Sequence, residues 1–434
     1  MQEKTVPEKR MKSSIWMSCI SSVVVLAGCG QSQPVAAAES PATSSPAVTA
    51  AVPAATTFTS LPTGFDACVA ELKQRSATAG VSAAAIEQGF ASVRYMDSII
   101  RLDRAQPEFT SGFADYYRGR VSADRIARGQ RLLQEHAATF SKIEAEYGVP
   151  AHYLLAFWGL ETNFGGYFGD TPILPALATL ACDGRRAELF SGELINALKI
   201  IDAGEMTPER MRGSWAGAMG NVQFMPTTFL KYAVDADGDG KRDLWGSVPD
   251  AMASAANFLR GLGWQRGLRW GREVSLPEGF DYRQTGLQTK KNLVEWAELG
   301  VTAMDRTPLT ATDIQAALMV PTGSQGPAFL VYDNFNVIMG WNRAEAYALS
   351  VGLLADRIAG GAAPSRAPVD SPRLYRPQVI QIQNFLNANG FDAGTPDGVF
   401  GPGTRAAISR FQHANGLVAD GFPTPAVLHL LGAE

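Results

Sequence analysis

The stretch Tyr153-Leu-Leu-Ala-Phe-Trp-Gly-Leu-Glu-Thr-Asn-Phe-Gly165 constrains this chain more than any other. Its apolar run predicts a helix, and Gly165 and Gly166 supply the stop signal. Counting back from Glu161 in helical steps reaches Trp158, Phe157 and Leu154, so the carboxylate continues the apolar stripe instead of opposing it. Loss of water at such a place raises a carboxyl pKa, and the negative end of the helix dipole pushes the same way. An acid held like this suits general acid catalysis near neutral pH. The same residues also fit a frayed helix end whose Glu161 turns out to water.

A chain of 434 residues has room for two or three domains, and a formal net charge of -4 offers nucleic acid no electrostatic attraction. Cysteines stand at 19, 29, 68 and 182 without C-x-x-C spacing, which argues against a zinc site. His136, His152, His413 and His429 lie in no H-E-x-x-H or G-x-S-x-G context, so core or surface roles are expected of them.

The N-terminus reads as an address. Lys9, Arg10 and Lys12 precede an uncharged run from Ser13 to Gly28, the length of a signal h-region, with Met1 or Met11 as the start. The run ends Leu26-Ala-Gly-Cys29, which resembles the lipobox of bacterial lipoproteins. The resemblance implies a signal peptide over 1–29, lipidation of Cys29 and, with Gly30 following, the periplasmic face of the outer membrane. A secretory signal cut at another small residue is the alternative. Residues 30–60 are mostly Ala, Ser, Pro and Thr, with Glu39 the single charge, and predict a disordered tether with a span of about 30 Å.

Folded sequence begins near Leu61. Helical periodicity covers Asp66 to Ala79, Ser82 to Phe90, Ser122 to Tyr147, Ala187 to Ala203, Pro226 to Ala233, Pro249 to Leu262 and Trp341 to Ile358. Strand-like runs are short, at Glu273 to Leu276 and Ala328 to Tyr332. The class is mainly α, with one large domain over 61–359. Outside the signal, Cys68 and Cys182 are the two remaining cysteines, and export permits their disulfide; two buried free thiols are the alternative. A Gly/Ala/Pro hinge over 360–372 leads to a unit over 373–434. That unit shows three short helical patterns joined by Asp397-Gly398 and Asp420-Gly421 turns, with Thr404 expected to cap the middle helix.

Between the two ends of the large domain lies Gly213-Ser-Trp-Ala-Gly-Ala-Met-Gly-Asn-Val-Gln-Phe-Met-Pro226. Its glycines allow close backbone approach, Ser214, Asn221 and Gln223 bring neutral hydrogen-bonding groups, and Trp215, Met219 and Phe224 bring apolar faces. That mixture suits a sugar, and it also suits a tight core turn.

Glu161-Thr-Asn-Phe-Gly165, Gly217-Ala-Met-Gly220 with Gln223-Phe-Met-Pro226, Thr179-Leu-Ala-Cys-Asp-Gly-Arg-Arg186, and Asn334-Phe-Asn-Val-Ile338 with Trp341-Asn342 together resemble the membrane-bound type B lytic murein transglycosylases. The last unit is similar to the small peptidoglycan-binding module with Asp-Gly turns. The resemblance implies a lysozyme-like helical catalytic domain (α+β) with a three-helix wall-binding domain. Its substrate would be the glycan strands of peptidoglycan, its state a monomer, and its chemistry free of any required cofactor. It implies non-hydrolytic cleavage of the MurNAc–GlcNAc β-1,4 bond to 1,6-anhydro ends, with Glu161 as acid and then base. Ser214, Met219, Gln223, Asn334 and Trp341 would contact substrate; Trp341 stands where the family often has Tyr, so stacking would survive and a phenol hydrogen bond would not. A hydrolytic muramidase and a non-catalytic wall-binding lipoprotein are the alternatives.

Asp235-Ala-Asp-Gly-Asp-Gly-Lys-Arg-Asp243 begins like an EF-hand loop and then departs from it, with Gly246 at the twelfth position. Some members of the family close a longer calcium loop with a later acid. Structural calcium on Asp235, Asp237, Asp239, the Lys241 carbonyl and Asp250 is therefore expected, against an acidic surface turn as the alternative. At the other end of the chain, Cys29→Ala is expected to shift the protein from the membrane to the soluble fraction with its activity intact. Persistence in membranes would contradict the lipobox reading.

Overall fold

A computed structural model describes residues 64–104, 109–110 and 112–433; the signal segment, Cys29 and the tether lie outside them. Pro150 is extended and caps the helix Ala151–Thr162, the acid helix, which is buried from Tyr153 through Leu160. A helix apolar all round needs neighbours on every face. Ala123–Glu135, Ala137–Tyr147, Val248–Gly261 and Glu345–Ile358 pack around it.

Beside this bundle, Ile173–Cys182 and Ala187–Asp202 pack together and carry Phe65–Thr78, Ala83–Phe90 and Asp97–Arg104. Cys68 and Cys182 form a disulfide across 114 residues, fastening the first helix to the end of Ile173–Cys182. Nearby, the carboxylate of Asp103 is buried and paired by Arg185 and Arg186, which locks the Thr179–Arg186 motif onto Asp97–Arg104.

A second, smaller core belongs to an antiparallel sheet in the order Lys290–Asn292, Gln315–Met319, Ala328–Val331, Gly271–Ser275, Thr302–Ala303. Leu330 lies opposite Arg272 on one side and Leu318 on the other. Trp296, Leu318 and Leu330 fill this core, and the Trp296 indole donates to the Ala316 carbonyl at 3.0 Å. The fold is mainly α with a small sheet, as the sequence predicts, and agrees with the helical domain that the resemblance implies.

Several local expectations are corrected. Ser122 to Tyr147 is two helices broken at His136; the apolar pattern runs through the break because both helices face the same core. Trp341 to Ile358 is also split: Trp341 ends Asp333–Trp341, and a new helix starts at Glu345. Thr404 is no cap. Its helix, Pro402–Ala414, has Gly401 at the N-cap position, and the buried Thr404 hydroxyl meets Gln383 instead.

The last unit packs Arg376–Ala388, Pro402–Ala414 and Pro425–Leu430 around Val379, Ile382, Ile408 and Leu428. Two buried glutamines hold its Asp-Gly turns. Gln383 donates to Asp397 and accepts from Gly398, each at 2.9 Å, while Gln412 donates to Asp420 at 3.0 Å and accepts from Gly421 at 2.7 Å. The unit is docked, not dangling: Leu374–Tyr375 pairs with Phe109–Thr110, Arg405 reaches Glu345 at 2.9 Å, and Asp420 accepts from the Ser324 amide at 2.9 Å. The hinge itself is tied down, with the Ser365 amide and hydroxyl on Glu273. Among the described residues no helix is long and apolar enough to cross a membrane.

Candidate active site

Glu161 occupies the last turn of the acid helix. The chain then turns sharply: Asn163, Phe164 and Gly165 all have positive φ, at 51°, 57° and 75°. Two of these are not glycine, so the turn is strained and must be held by its surroundings. Asn221 supplies much of that hold. Its side chain accepts from the Trp158 indole at 2.7 Å and donates to the Leu244 carbonyl at 2.9 Å, and its own carbonyl accepts from the Thr162 hydroxyl at 2.9 Å. Gly165 is required there, since a Cβ would lie 2.8 Å from the Asn221 Oδ1.

Two donors from the far side of the domain meet the Glu161 carboxyl. Trp341 Nε1 donates to Oε1 at 3.1 Å and the Tyr347 hydroxyl donates to the same oxygen at 2.5 Å. The helix break at Asn342–Ala344 makes this convergence feasible, because Trp341 ends one helix and Tyr347 lies in the first turn of the next. Among the described residues no donor reaches Oε2, so that oxygen is left to carry the proton. Glu161 stays partly exposed while protein surrounds it on its other sides. Burial raises its pKa from 4.5 to about 7 against the two hydrogen bonds and the Arg120 charge, which all lower it. Burial, and then Glu161 itself, also push the Tyr347 phenol well above its ordinary value.

The linkage has a definite sign. The unfolded chain releases this proton near 4.5 and the folded protein near 7, so the site's contribution to stability is full below 4.5 and lost as pH rises through 7. An ionised Glu161 therefore works against the fold.

The glycine-rich block forms a knot beside the acid. Ser214 Oγ accepts from the Ala218 amide at 2.9 Å, and Met219 pairs with Phe224 through 2.8 and 3.0 Å backbone bonds. Ser214 and Gln223 are partly exposed. Gln223 has φ 49° and donates to the Phe168 and Gly220 carbonyls at 3.1 and 3.0 Å, which aims its amide oxygen away from them. Met219, Asn221 and Asn334 are placed otherwise than expected. Met219 is wholly buried, Asn221 is the staple described above, and Asn334 is sealed in, accepting from Gln265 at 2.8 Å and donating to Gln265 and Leu268 at 2.9 and 2.6 Å. Burial withdraws the Met219 side chain, and protein partners already take up the side-chain amides of Asn221 and Asn334. Trp341 is also revised. Its ring packs against Phe157, Phe224 and Phe258 with centroids 4.4, 5.6 and 5.1 Å away, and its indole N–H supplies the hydrogen bond whose loss was expected with Tyr. Tyr347 was not legible in the sequence; its sole signal is that it is the one aromatic residue of the helix Glu345–Ile358.

Farther along, the acidic loop gathers four carboxylates whose oxygens lie within 4.8 Å of one another: Asp235, Asp237 and Asp239, exposed, and Asp250, wholly buried. Asp250 is oriented by the amides of Ala236 at 2.8 Å and Asp243 at 2.9 Å, while burial, and in lesser part Asp237, raise its pKa. The Lys241 amide donates to Asp239 at 2.8 Å. An all-oxygen donor set of this charge fits a hard divalent cation.

Because the Tyr347 hydrogen bond favours the charged form of Glu161, Tyr347→Phe is expected to raise the acid's pKa. The alkaline limb of the kcat/KM profile should move up by about one pH unit, the worth of one hydrogen bond to a charged group. An unmoved limb would remove Tyr347 from the site.

The transglycosylase SLT domain family matches residues 64–356, and the peptidoglycan binding domain family matches residues 375–431. Membrane-bound lytic murein transglycosylase B of Escherichia coli (strain K12) is 31% identical over 289 residues, 63% of this chain and 77% of that protein. SltB3 from Pseudomonas aeruginosa, solved in complex with NAG-anhNAM-pentapeptide, is 43% identical with TM-score 0.82, over 86% of this chain and 100% of its own. The Escherichia coli lytic transglycosylase Slt35, solved in complex with calcium, is 30% identical with TM-score 0.57, over 67% of this chain and 92% of its own. This chain therefore belongs to the transglycosylase SLT family, as a lytic transglycosylase similar to the membrane-bound B type with a peptidoglycan binding domain behind its catalytic domain.

Proposed function

We propose that the protein cleaves the β-1,4 bond between MurNAc and GlcNAc in peptidoglycan without net addition of water, using Glu161 alone as acid and then base. The observation that carries this reading is the state of Glu161: a carboxyl titrating near 7, with two donors on Oε1 and Oε2 left open. Among the described residues the charge that shifts its pKa is a cation, Arg120, and no other carboxylate is among the causes of that shift. Glycosidases that add water pair two carboxyls. Here Oε2–H protonates the glycosidic oxygen, the C1–O4 bond breaks with its electrons going to that oxygen, and an oxocarbenium-like centre develops at C1. The carboxylate then takes the proton of the muramoyl C6 hydroxyl as O6 bonds to C1. Glu161 ends protonated again, and the product carries a 1,6-anhydro ring. Tyr347 and Trp341 stabilise the charged form between the two steps. Ser214 and Gln223 stand at the open side of the glycine-rich knot, where neutral donors and acceptors suit hydroxyls and acetamides.

In this reading the C-terminal unit binds the wall, Cys29 carries the lipid anchor that holds the protein at the outer membrane, and the enzyme acts as a monomer. Asp235, Asp237, Asp239, Asp250 and the Lys241 carbonyl would hold one calcium in a structural role, close to the Leu244 and Trp245 carbonyls that accept from Asn221.

Mass spectrometry of digested sacculi tests the chemistry: anhydro-muropeptides are expected, and reducing ends alone would sink the proposal in favour of a hydrolytic muramidase. Glu161→Gln should lose about a thousandfold in rate, within the usual worth of a general acid. For the loop, calcium is expected to raise the melting temperature of the wild type and leave Asp250→Asn unmoved. A wild-type melting temperature indifferent to calcium and to chelator would dismiss that site.

A further inference from the structure

Next to the acid lies a basic groove that the chemistry above does not use. The helix Ala123–Glu135 presents Arg125, Arg128 and Arg131 three residues apart along one face. With Asn163, two residues beyond Glu161, they line a cavity of about 480 Å³ in which Asp124 is the one acid.

The three cations differ in how they are held. Arg125 is half-buried and donates to the Gly119 and Arg120 carbonyls at 3.1 and 2.6 Å, and its Nε is buried without a hydrogen-bond partner. No carboxylate pairs with it among the described residues, and both burial and Arg120 lower its pKa. Arg128 lies over the Phe164 ring and donates to the Phe164 carbonyl at 3.1 Å, which ties the groove to the strained turn after the acid. Arg131 is exposed and makes no ion pair among the described residues. Arg120 acts electrostatically on both Arg125 and Glu161, so the groove and the reacting carboxyl are neighbours.

Burying guanidinium without a counter-ion is costly, and an anion seated in the groove would relieve that cost. Neutral sugars call for no such cluster. The anionic groups of peptidoglycan are the carboxylates of its peptide stems, and guanidinium forks match carboxylates in geometry as well as charge. Resting on the peptidoglycan reading above, we infer that the Arg125–Arg128–Arg131 groove is a subsite for a stem carboxylate next to the scissile bond and sets the enzyme's preference for stem-bearing strands.

The test compares stem-bearing glycan strands with strands stripped of their peptides and amidated at the lactyl carboxyl that stripping exposes, at low and physiological salt. Arg131 is exposed and makes no hydrogen bond or ion pair among the described residues, so its variants should fold. Arg131→Glu is expected to lower kcat/KM on stem-bearing strands by about tenfold, the value of one charge-assisted contact, through KM and not kcat. Arg131→Lys should retain most of the activity, and neither variant should change cleavage of stripped strands. Wild-type advantage on stem-bearing strands should shrink as salt rises. Unaltered kinetics of Arg131→Glu on stem-bearing strands, or equal losses on both kinds of strand, would overturn the subsite. Wild-type protein that releases product from neither strand would overturn the transglycosylase reading itself.

Discussion

The proton of the Glu161 carboxyl is held by burial and loosened by two hydrogen bonds. Burial alone would lock that proton in place, and full hydration would let it go near the ordinary carboxyl range. The structure sets burial against two hydrogen bonds and a nearby cation, and the result is a carboxyl balanced at about 7. Such balance demands that Tyr347 and Trp341 stand at fixed distances from one oxygen. Their helices must therefore be rigid against the acid helix, and the large apolar core surrounding it provides that rigidity.

The acid helix could not end where it does without Asn221. Three consecutive residues with positive φ follow the acid, and a fold of ordinary stability keeps such a turn only where neighbours over-determine it. Asn221 links the Trp158 indole, the Thr162 hydroxyl and the backbone beyond the acidic loop in one buried web. The glycine-rich block thus acts mainly as scaffold. Its polar residues split by burial: Asn221 turns inward to the web, while Ser214 and Gln223 keep an edge toward solvent.

The C-terminal unit meets the catalytic domain close to the same machinery. Arg405 pairs with Glu345, two residues before Tyr347 on the same helix, and Asp420 holds the loop at Ser324 beside the small sheet. A wall-binding unit fixed in this way presents its surface at a constant distance from the acid, which a free linker would not do.

How much of this could be read from residues alone follows from the range of the interactions. Periodicity along a helix is local, so the acid helix, most of its neighbours and the apolar setting of Glu161 were legible, as was the module with its two Asp-Gly turns. The sheet was harder to see, since strands of two to five residues gain meaning only from partners far along the chain. Met219 read as an apolar face for a sugar and Asn334 as a contact implied by the family resemblance, because neither residue type nor motif says which side is buried. Tyr347 was invisible because 186 residues separate it from Glu161. The sequence by itself determined an acid on an apolar helix, a helical domain around it and the carboxylates of one loop. Only the tertiary structure decided which donors face that acid, which polar side chains are sealed, and where the cations gather, because each depends on contacts between segments that no local spacing encodes.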